Sequence, residues 1–415
     1  MSKKICILGL GYIGMPTAAM FASNGYSIVG VDVNANVVEK LNQGVITIEE
    51  PYLGELVKQV VMEKKLRASV KPEEADVFII AVPTPIKEDK SADMTYVKNA
   101  TEMIVPYLKK GDTIILESTS PPRTVELLMC PILEKSGLDL HEDLFIAHSP
   151  ERVIPGKILI ELVENNRIVG GINEASAKKV KALYESFVKG EIYLTDATTA
   201  EMCKLMENTF RDVNISLANE LAMICEQMGI NAWDVIEFAN KHPRVTLHQP
   251  GPGVGGHCLA VDPWFIVEKF PDLAHMIKLS RETNDLMPLH VFKRIKEILG
   301  SLKNKTITIL GITYKPDIDD LRESPILHLV ELLEEIEGIK LQLVDPYVKN
   351  YKNLVKDMDK ALNETDLVLL GVNHTDFKAI DFGGLKVPVF DTRNFVEPQH
   401  REVLKENYYL IGKGQ

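Results

Sequence analysis

The sequence has few of the features that mark secreted, metal-binding or membrane proteins. Its 415 residues include only five cysteines, scattered without a C-x-x-C spacing, which argues against a disulfide framework or a zinc site. The apolar stretch behind the N-terminus is too short for a signal sequence, and no later stretch reaches the length of a membrane span. We therefore expect a soluble, cytoplasmic protein with no membrane partner and no metal ion.

An excess of positive charge is missing as well. The chain carries 47 Lys and Arg residues against 59 Asp and Glu residues, a formal net charge of -12. This balance offers no cationic surface for nucleic acid. The hydrophobic share of 45% and the charged share of 26% are ordinary for a globular protein, and the length requires two or three domains. An anionic ligand would have to be bound by a few locally placed Arg and Lys side chains.

The order of the apolar runs predicts an α/β fold with two Rossmann-like parallel-sheet domains joined by a long central helix. In the first half, short apolar runs alternate with helical patterns, as in a parallel sheet with crossover helices. A similar pattern starts again at Lys305, and the stretch Thr199–Met228, which lacks proline, predicts one long helix between the two. The predicted boundaries are 1–197 for an N-terminal domain, 198–300 for a central helical domain and 301–415 for a C-terminal domain.

A glycine-rich turn follows the first predicted strand and opens a helix. The segment Gly9-Leu10-Gly11-Tyr12-Ile13-Gly14 allows a tight turn and lets backbone amides approach a pyrophosphate at the positive end of that helix. The second predicted strand ends at Asp32, whose carboxylate can accept hydrogen bonds from both ribose hydroxyls. No arginine follows it to bind a 2′-phosphate, which favours NAD over NADP. The alternative, a glycine turn beside a surface aspartate, leaves this spacing unexplained. The residues predicted to bind NAD here are Gly9, Gly11, Tyr12, Ile13, Gly14 and Asp32.

Two threonines follow later strands of the first predicted sheet. Thr84 lies in Pro83-Thr84-Pro85 after the fourth strand, and Thr119 lies in Ser118-Thr119-Ser120-Pro121 after the fifth. The carboxyl ends of the strands form the ligand crevice of an open parallel sheet. Both threonines are therefore candidate cofactor contacts, although the residues around them equally suit a plain turn.

Polar residues form one stripe on the long predicted helix: Glu201, Lys204, Asn208 and Arg211. A solvated charged face is the usual explanation for such a stripe. Apolar residues on the other faces indicate instead that the helix is enclosed. A lysine and an asparagine on an enclosed helix can bind a developing oxyanion.

The loop His242–Asp262 is rich in glycine and proline and contains a cysteine. Four glycines of the segment 251–256 precede Cys258, and an aspartate lies four residues after it. Glycines let the backbone approach a ligand closely, and loops of this length in compact domains are usually functional. A buried, inert cysteine is the common alternative. Glycines crowded before a thiol favour a nucleophile, and a nearby cation such as Lys204 would favour its thiolate form.

These motifs resemble, in order and spacing, those of the UDP-glucose/GDP-mannose dehydrogenase family. Two further segments carry the resemblance, namely Ser149-Pro150-Glu151-Arg152 and Tyr314-Lys315…Arg322-Glu323-Ser324-Pro325. It spans nearly the whole chain and implies an NAD domain, a central dimerisation region and a C-terminal nucleotide-sugar domain. It also implies oxidation of a sugar C6 alcohol to the acid, with two NAD, through a cysteine-bound thiohemiacetal and thioester.

The resemblance also assigns roles to individual residues. It implies that Cys258 is the nucleophile and that Lys204 is the general acid/base and oxyanion partner, with Asn208 beside it. Asp262 and Glu151 become alternatives for activating the hydrolytic water. The residues implied to contact the uridine, the phosphates or NAD are Tyr314 and Lys315 (uridine and phosphate), Arg393 (nucleotide) and Arg322 (NAD).

One departure from the family pattern bears on the substrate. Members that use UDP-glucose typically follow the cysteine with Phe-Pro-Lys-Asp, whereas this chain has Leu259-Ala260-Val261-Asp262. Together with His242-Pro243-Arg244-Val245, this looks like the branch acting on UDP-N-acetylhexosamines, in particular UDP-N-acetyl-D-mannosamine. The resemblance further suggests a homodimer or a dimer-based oligomer in which the segment His242–Val245 reaches the partner's sugar site. The residues then expected around the substrate, besides Lys204 and Asn208, are Arg152, Val153, Arg211, His242, Arg244 and Gly255.

The sequence is also compatible, to different degrees, with other functions. The same chemistry could act on UDP-N-acetylglucosamine or UDP-glucose. A two-electron hydroxyacid-type dehydrogenase would share the NAD domain, but it needs neither a nucleophilic cysteine nor a second α/β domain. A non-enzymatic NAD-binding protein is disfavoured because Lys204, Asn208, Cys258 and Asp262 are all present.

Overall fold

The computed structural model describes residues 3–414. The chain divides after Glu207 into two compact units, and each unit has its own sheet. This confirms the predicted fold class of two α/β domains with a long helix between them. Among residues 3–414, no helix is both long enough and apolar enough to cross a membrane.

The first unit is built on one large sheet. Its strands are β1 (Lys4–Leu8), β2 (Ser27–Val31), β3 (Leu66–Ser69), β4 (Val77–Ile80), β5 (Thr113–Leu116), β6 (Phe145–His148), β7 (Arg167–Gly171) and β8 (Ile192–Asp196). Their order across the sheet is β3-β2-β1-β4-β5-β6-β7-β8, with β7 antiparallel to β6 and the other neighbours parallel. The helices of this unit are α1 (Gly14–Ser23), α2 (Ala35–Asn42), α3 (Leu53–Met62), α4 (Thr95–Ile104), α5 (Cys130–Leu133), α6 (Ile158–Glu164) and α7 (Glu174–Tyr184).

The core of the first unit lies on both faces of this sheet. Alternate residues of β1 show it, because Ile5 and Ile7 pack into one apolar cluster while Cys6 and Leu8 pack into another. A strand buried on both faces reads as a continuous apolar run, and this is why the sequence predicts these strands well. The half-exposed β3 has no such signal.

One helix of the first unit differs from its prediction. A single helix is expected over Thr124–Lys135, but a π-helical segment (Val125–Met129) precedes α5, and a 3₁₀ turn (Glu134–Ser136) follows it. Pro131 stands in the first turn of α5. Its ring has no N–H to continue a regular α-helix, so the hydrogen-bond pattern changes ahead of it.

The long helix α8 (Ala197–Met228) starts directly after β8, two residues before the predicted start at Thr199. Its first turn packs against β7 at Gly170. A Cβ there would lie 2.7 Å from Cβ of Ala200 and 2.8 Å from Cα of Ala197. The missing side chain is therefore what allows this close packing.

The second unit contains a smaller, parallel sheet. Its strands are β9 (Thr306–Leu310), β10 (Lys340–Val344), β11 (Leu367–Leu370), β12 (Val389–Asp391) and β13 (Tyr408–Leu410), and they pair in the order β10-β9-β11-β12-β13. The helices that follow α8 are α9 (Ala232–Ala239), α10 (Asp262–Lys269), α11 (His275–Leu299), α12 (Pro325–Glu334), α13 (Met358–Asn363) and α14 (Pro398–Leu404). Residues 240–261 are irregular, as predicted for the glycine-rich loop.

Candidate active site

The glycine turn of the first unit joins β1 to α1, and its three glycines are surrounded differently. Gly9 has φ +94°, and a Cβ there would lie 2.4 Å from the carbonyl oxygen of Ala81, at the end of β4. A Cβ at Gly14 would lie 1.9 Å from the carbonyl oxygen of Gly9. Among the described residues, nothing lies within 4 Å of a Cβ built at Gly11. Two glycines therefore serve the turn itself, and the third leaves its face open to a ligand.

Asp32 is fixed beside this turn by two backbone amides. Its carboxylate accepts hydrogen bonds from the N–H of Leu10 at 3.1 Å and from the N–H of Asn34 at 2.9 Å. A carboxylate oxygen has two lone pairs, so each oxygen keeps the capacity to accept a ribose hydroxyl. The described geometry thus fits a dinucleotide whose pyrophosphate lies at Gly11 and the start of α1.

Thr84 and Thr119 follow β4 and β5 and are both half-buried. The two turns are joined by Ser118, whose hydroxyl donates to the carbonyl of Val82 at 2.7 Å. The strand order reverses between β1 and β4, and the switch point of such a sheet is where nucleotides bind. Both threonines therefore lie at strand ends close to that point.

Glu151 lies in a cluster of buried charges. Its carboxylate accepts a hydrogen bond from Arg167 and another from the N–H of Arg152 at 2.7 Å. Arg167 also lies 3.7 Å from the carboxylate of Glu117, which accepts the hydroxyl of Tyr184 at 2.5 Å. Burial raises the pKa of Glu117 to about 7, although Arg167 acts in the opposite direction. The Arg167 guanidinium is therefore the positive charge next to two carboxylates, those of Glu151 and Glu117.

Lys204 lies on α8, half-buried, and Glu201 one turn before it is buried. The Glu201 carboxylate accepts the N–H groups of Arg123 at 2.5 Å and Val125 at 2.9 Å, so it caps the turn that follows Thr119. Burial lowers the pKa of His148 to about 3, and the charge of Lys204 acts in the same direction. The stripe is thus not a uniformly solvated face.

Arg152 borders a cleft of about 620 Å³ in the first unit, opposite Tyr193 and Cys203. Its guanidinium pairs with Glu207 and donates to the carbonyl of Asn166 at 3.1 Å. No other predicted site residue lines this cleft. Val153, which follows Arg152, is half-buried against the apolar core.

In the second unit, Asn208 connects α8 to the cysteine loop. Its side-chain amide donates to the carboxylate of Asp262 at 2.6 Å, and both residues are buried. Asp262 begins α10, and its N–H donates to the carbonyl of Cys258 at 2.8 Å. The thiol side chain of Cys258 is exposed. The structure therefore places the proposed nucleophile one turn ahead of a buried carboxylate that an amide orients.

The glycines before Cys258 pack against a second motif of the sequence. A Cβ at Gly255 would lie 2.3 Å from the carbonyl oxygen of Glu323, and one at Gly256 would lie 2.7 Å from the ring of Tyr314. The N–H of Gly256 donates to the carbonyl of Arg322 at 3.1 Å. The cysteine loop and the Tyr314…Glu323 segment therefore form one surface, which side chains at these positions would prevent.

Arg393 lies against the start of the same loop. A Cβ at Gly251 would come within 2.9 Å of its guanidinium, whose Nε donates to the carbonyl of Gly371 at 3.0 Å. Burial lowers the pKa of Arg393 to about 10. Lys315 is half-buried, and Arg322 is exposed with its guanidinium paired to Asp320.

Three predicted substrate contacts are exposed in the second unit, namely Arg211, His242 and Arg244. Two of the apolar residues taken to enclose α8, Met206 and Phe210, are also exposed, at 44% and 62%. The single chain thus does not enclose that face of the helix, contrary to the sequence-based expectation.

Sequence reasoning missed the buried partners of the site. They include Arg167 and Glu117 in the first unit and Asn219 in the second. No local signal identifies them, because their contacts join positions 16 to 67 residues apart. The motif residues could be predicted because they lie at strand ends, in glycine-rich turns or at helical spacing on α8.

Three family models match the chain in order. They describe the NAD-binding domain of the UDP-glucose/GDP-mannose dehydrogenase family at residues 3–188, its central domain at 198–286 and its UDP-binding domain at 308–398.

Individual relatives match over almost the whole chain. A UDP-N-acetyl-D-mannosamine dehydrogenase of Methanococcus maripaludis is 47% identical, with 99% of this chain and 97% of the relative covered. An NDP-N-acetyl-D-galactosaminuronic acid dehydrogenase of Ralstonia solanacearum is 45% identical, with 94% and 96% covered. The solved structure of the UDP-N-acetyl-mannosamine dehydrogenase of S. aureus is 48% identical, covers 99% of each chain and superposes with a TM-score of 0.91.

Proposed function

This chain belongs to the UDP-glucose/GDP-mannose dehydrogenase family, and we propose that it oxidises the C6 alcohol of a UDP-N-acetylhexosamine to the uronic acid. Its cofactor is NAD, in keeping with the family's NAD-binding domain at residues 3–188. The observation that carries the proposal is the arrangement of Cys258, Asp262 and Asn208 at one end of a glycine loop.

Bound NAD supplies the acceptor for one hydride in each of two oxidations. Gly9, Gly11, Gly14 and Asp32 would hold it, with Thr84, Thr119 and the start of α1 beside them. Within residues 3–414, no atom lies within 4 Å of a Cβ built at Gly11, in contrast to Gly9 and Gly14, and this supports the placement. Arg322 is proposed as a further contact.

The chemistry proposed for Cys258 conserves atoms and electrons. The first hydride transfer turns the C6 alcohol into an aldehyde, and the thiol adds to it to give a thiohemiacetal. Loss of a second hydride gives a thioester, which water cleaves to the carboxylic acid and the free thiol. Covalent capture prevents release of the aldehyde between the two oxidations.

Four other side chains have separate proposed tasks in this reaction. Lys204 exchanges the proton of the reacting oxygen and stabilises its negative charge, with Asn208 as a second donor. Asp262 or Glu151 orients the hydrolytic water. Glu151 accepts a hydrogen bond from Arg167 and Asp262 accepts one from Asn208, so each carboxylate is held in a fixed orientation and both are candidates.

The sugar is proposed to be UDP-N-acetyl-D-mannosamine. Relatives named for this substrate are 47% and 48% identical over 99% of the chain, and Leu259-Ala260-Val261 replaces the tripeptide typical of UDP-glucose enzymes. The galactosaminuronic acid dehydrogenase at 45% identity makes a galacto-configured hexosamine the second candidate. Tyr314, Lys315 and Arg393 would bind the nucleotide. The proposed contacts to the sugar and its phosphates are Arg152, Val153, Arg211, His242, Arg244 and Gly255.

We also propose a homodimer formed through α8. Exposed apolar residues line one face of this helix from its second quarter to its C-terminal end: Met206, Phe210, Leu217, Ile224 and Met228, at 44%, 62%, 51%, 47% and 65% exposure. Their spacing of four and seven residues keeps them on one stripe. Such a stripe is typical of an isologous helix-to-helix contact. A cytoplasmic location is proposed with it, since the chemistry requires a reduced thiol.

The stoichiometry of NADH tests the proposed function. With UDP-N-acetyl-D-mannosamine the enzyme should release two NADH per sugar and accumulate little aldehyde, and UDP-N-acetylglucosamine and UDP-glucose should react more slowly. Cys258→Ala should form no acid but keep its NAD affinity, while the control Cys130→Ala, at a half-buried cysteine of α5, should keep full turnover. One NADH per sugar with a ketone product would contradict the mechanism.

A further inference from the structure

Two asparagines of α8 hold the two ends of the cysteine loop. Asn208 donates to Asp262 at the far end at 2.6 Å, and the carbonyl oxygen of the Asn219 side chain accepts the N–H of Gly251 at the near end at 2.9 Å. The two asparagines are eleven residues apart, which is about three helical turns. Both therefore project from one face of the helix, roughly 16 Å apart. Cys258 lies on the segment between these two attachments.

The attachment at Gly251 is the end of a buried hydrogen-bond chain. Arg281 of α11 donates to Asp212 of α8 at 2.5 Å, and the side-chain amide of Asn284 donates to the same carboxylate at 2.8 Å. The amide of Asn219 then donates to the side-chain oxygen of Asn284 at 2.9 Å. The side chains of Asp212, Asn219, Asn284 and Arg281 are all at most 1% exposed.

The direction of each hydrogen bond in this chain is fixed by its first member. Arg281 can only donate, and the ionised carboxylate of Asp212 can only accept. Asn284 must therefore turn its NH₂ group to Asp212, which leaves its oxygen for the NH₂ group of Asn219. Asn219 is left with its oxygen towards the loop, and this is what the N–H of Gly251 requires. A buried amide in the opposite orientation would leave two donors facing each other.

Pro288 of α11 adds a second contact to the same stretch of loop. Because proline has no N–H, it cannot donate to the carbonyl of Asn284, one turn earlier in the helix. Gly253, with φ +129°, passes over that carbonyl, and a Cβ there would lie only 3.2 Å from its oxygen. The polar side chain and the backbone of Asn284 thus face the loop from the same point of α11.

We propose that Asn219 is a positioning residue for Cys258 and that the buried chain Arg281–Asp212–Asn284 fixes the orientation of its amide. Asn219 sets where the glycine segment starts relative to Arg393, and Asn208 sets where it ends. These two attachments thereby fix the position of the Cys258 thiol relative to Asp262. This inference rests on the proposed role of Cys258 as the nucleophile.

A purely structural role for Asn219 would give a different result from a positioning role. A buried asparagine that only stabilises the fold should, when replaced, lower the unfolding temperature and leave the native cysteine loop unchanged. A positioning residue should change the loop in the folded enzyme. The measurements must therefore report on Gly251 and Cys258 directly, below the unfolding transition.

The first experiment compares Asn219→Ala with Asn214→Ala. Asn214 lies on the same helix, but its amide donates only to the carbonyl of Phe210 within that helix, so it is a matched control. In Asn219→Ala we expect faster deuterium exchange in the peptide containing Gly251 and at least a threefold change in the rate at which iodoacetamide alkylates Cys258. We also expect kcat to fall by roughly 10- to 100-fold, because small misplacements of reacting groups cost about this much. NAD affinity should stay within about twofold, which shows that the first unit is folded.

Equal exchange and alkylation rates in Asn219→Ala and Asn214→Ala would overturn the proposal. These two readouts need neither sugar nor turnover. Hence a failure of the proposed function, seen as full turnover in Cys258→Ala, is distinguishable from a failure of the positioning role.

A second variant tests the direction of the chain even if Asn219→Ala folds poorly. Asn219→Asp should change the alkylation rate of Cys258 and slow turnover, because it places a carboxylate oxygen opposite the side-chain oxygen of Asn284. Asp212→Asn is the control, because it keeps the Oδ1 atom that accepts from both Arg281 and Asn284, and the backbone carbonyl at position 212 still accepts from Asn284. Equal alkylation rates of Cys258 in Asn219→Asp and Asp212→Asn would overturn the assigned orientation.

Discussion

Arg167 is the residue on which the buried charges of the first unit depend. It pairs with Glu151, lies 3.7 Å from Glu117 and stacks over the ring of Tyr184 with its central carbon 4.1 Å from the ring centre. One guanidinium cannot fully neutralise two carboxylates. Since Glu151 has the direct hydrogen bond, the proton is retained by Glu117, which is consistent with its raised pKa.

Glu117 should make the protein less stable as the pH rises. Its pKa is about 7 in the folded protein against 4.5 for a glutamate side chain in water. Between these values the unfolded chain has lost the proton and the folded chain retains it, so the free energy of unfolding falls as pH increases and levels off above pH 7. The full effect is on the order of 3 kcal/mol.

The variant Glu117→Gln should remove this fall in the free energy of unfolding with pH. The fold should tolerate the change, because the amide oxygen can still accept the hydroxyl of Tyr184. Urea unfolding at pH 5.0 and 7.5 should show the variant gaining stability relative to the wild type at the higher pH. The control Glu126→Gln replaces an exposed carboxylate whose pKa is lowered by Arg123, so it should show no such gain. A difference between Glu117→Gln and wild type that is the same at both pH values would contradict the assignment.

At the scale of single elements, α8 contributes to several features that the sequence treats separately. Its first turns cap the segment after β5 through Glu201, its middle anchors the cysteine loop through Asn208 and Asn219, and its outer face carries the apolar stripe. The sequence predicted this helix because it lacks proline and glycine over 30 residues. It could not predict the partners of each face, because they come from other elements.

Other elements show where sequence reasoning stops. The strands β1, β4 and β5 are continuous apolar runs, which a sequence pattern can indicate. The 25-residue helix α11 was not predicted, and Pro288 in its interior is a residue that usually ends a helical pattern. The buried pair Asp212–Arg281 joins positions 69 residues apart, and periodicity contains no information on such a contact. The motifs thus locate Cys258 but not what holds it in place.

Glu201 connects α8 to the cofactor side of the first unit, and replacing it should affect NAD binding. Glu201→Gln keeps one acceptor but turns an NH₂ group towards the backbone N–H of Arg123 or Val125, so the turn after Thr119 should loosen. We expect KM for NAD to rise roughly three- to tenfold, the size expected for one lost hydrogen bond of typical net strength. Steady-state kinetics with NAD varied would measure it, with Glu220→Gln on the exposed face of α8 as the control. An unchanged KM for NAD would mean that the turn is rigid without Glu201.

At the scale of the whole molecule, each unit presents a nucleotide-binding type of sheet with its own glycine turn. In both, the glycine after the first strand has a positive φ and donates its N–H to the carbonyl at the end of the neighbouring strand: Gly9 to Val31 at 2.8 Å and Gly311 to Val344 at 2.8 Å. In both units, an aspartate follows that neighbouring strand and accepts the N–H of the residue after the glycine. Asp32 accepts the N–H of Leu10 in the first unit, and Asp345 accepts that of Ile312 in the second. Only the first turn opens a helix directly, which suits a pyrophosphate, whereas the second leads into the Tyr314–Pro325 segment that packs on the cysteine loop.

The assembly of two chains is expected to complete the sugar site. Arg244 is exposed in the single chain, and its backbone N–H donates to the ring of His242 at 3.4 Å. In the proposed dimer, the family resemblance suggests that the segment His242–Val245 reaches the partner's sugar site, where Arg244 can form a charge-assisted hydrogen bond with the anionic substrate. Arg244→Ala alone and Cys258→Ala alone should therefore each be inactive.

Mixing these two inactive variants decides whether Arg244 acts on its own chain or on the partner. If subunits exchange at random, half of the dimers are mixed, and each mixed dimer has one site with both residues intact, so about one quarter of the wild-type activity should reappear. Cys258→Ala mixed with Asn208→Ala is the control, because both residues belong to the second unit of one chain and every site then keeps a defect. NADH formation after mixing measures the outcome, and mass spectrometry of differently tagged chains confirms that exchange took place. Confirmed exchange without recovered activity would show that Arg244 does not act across the interface.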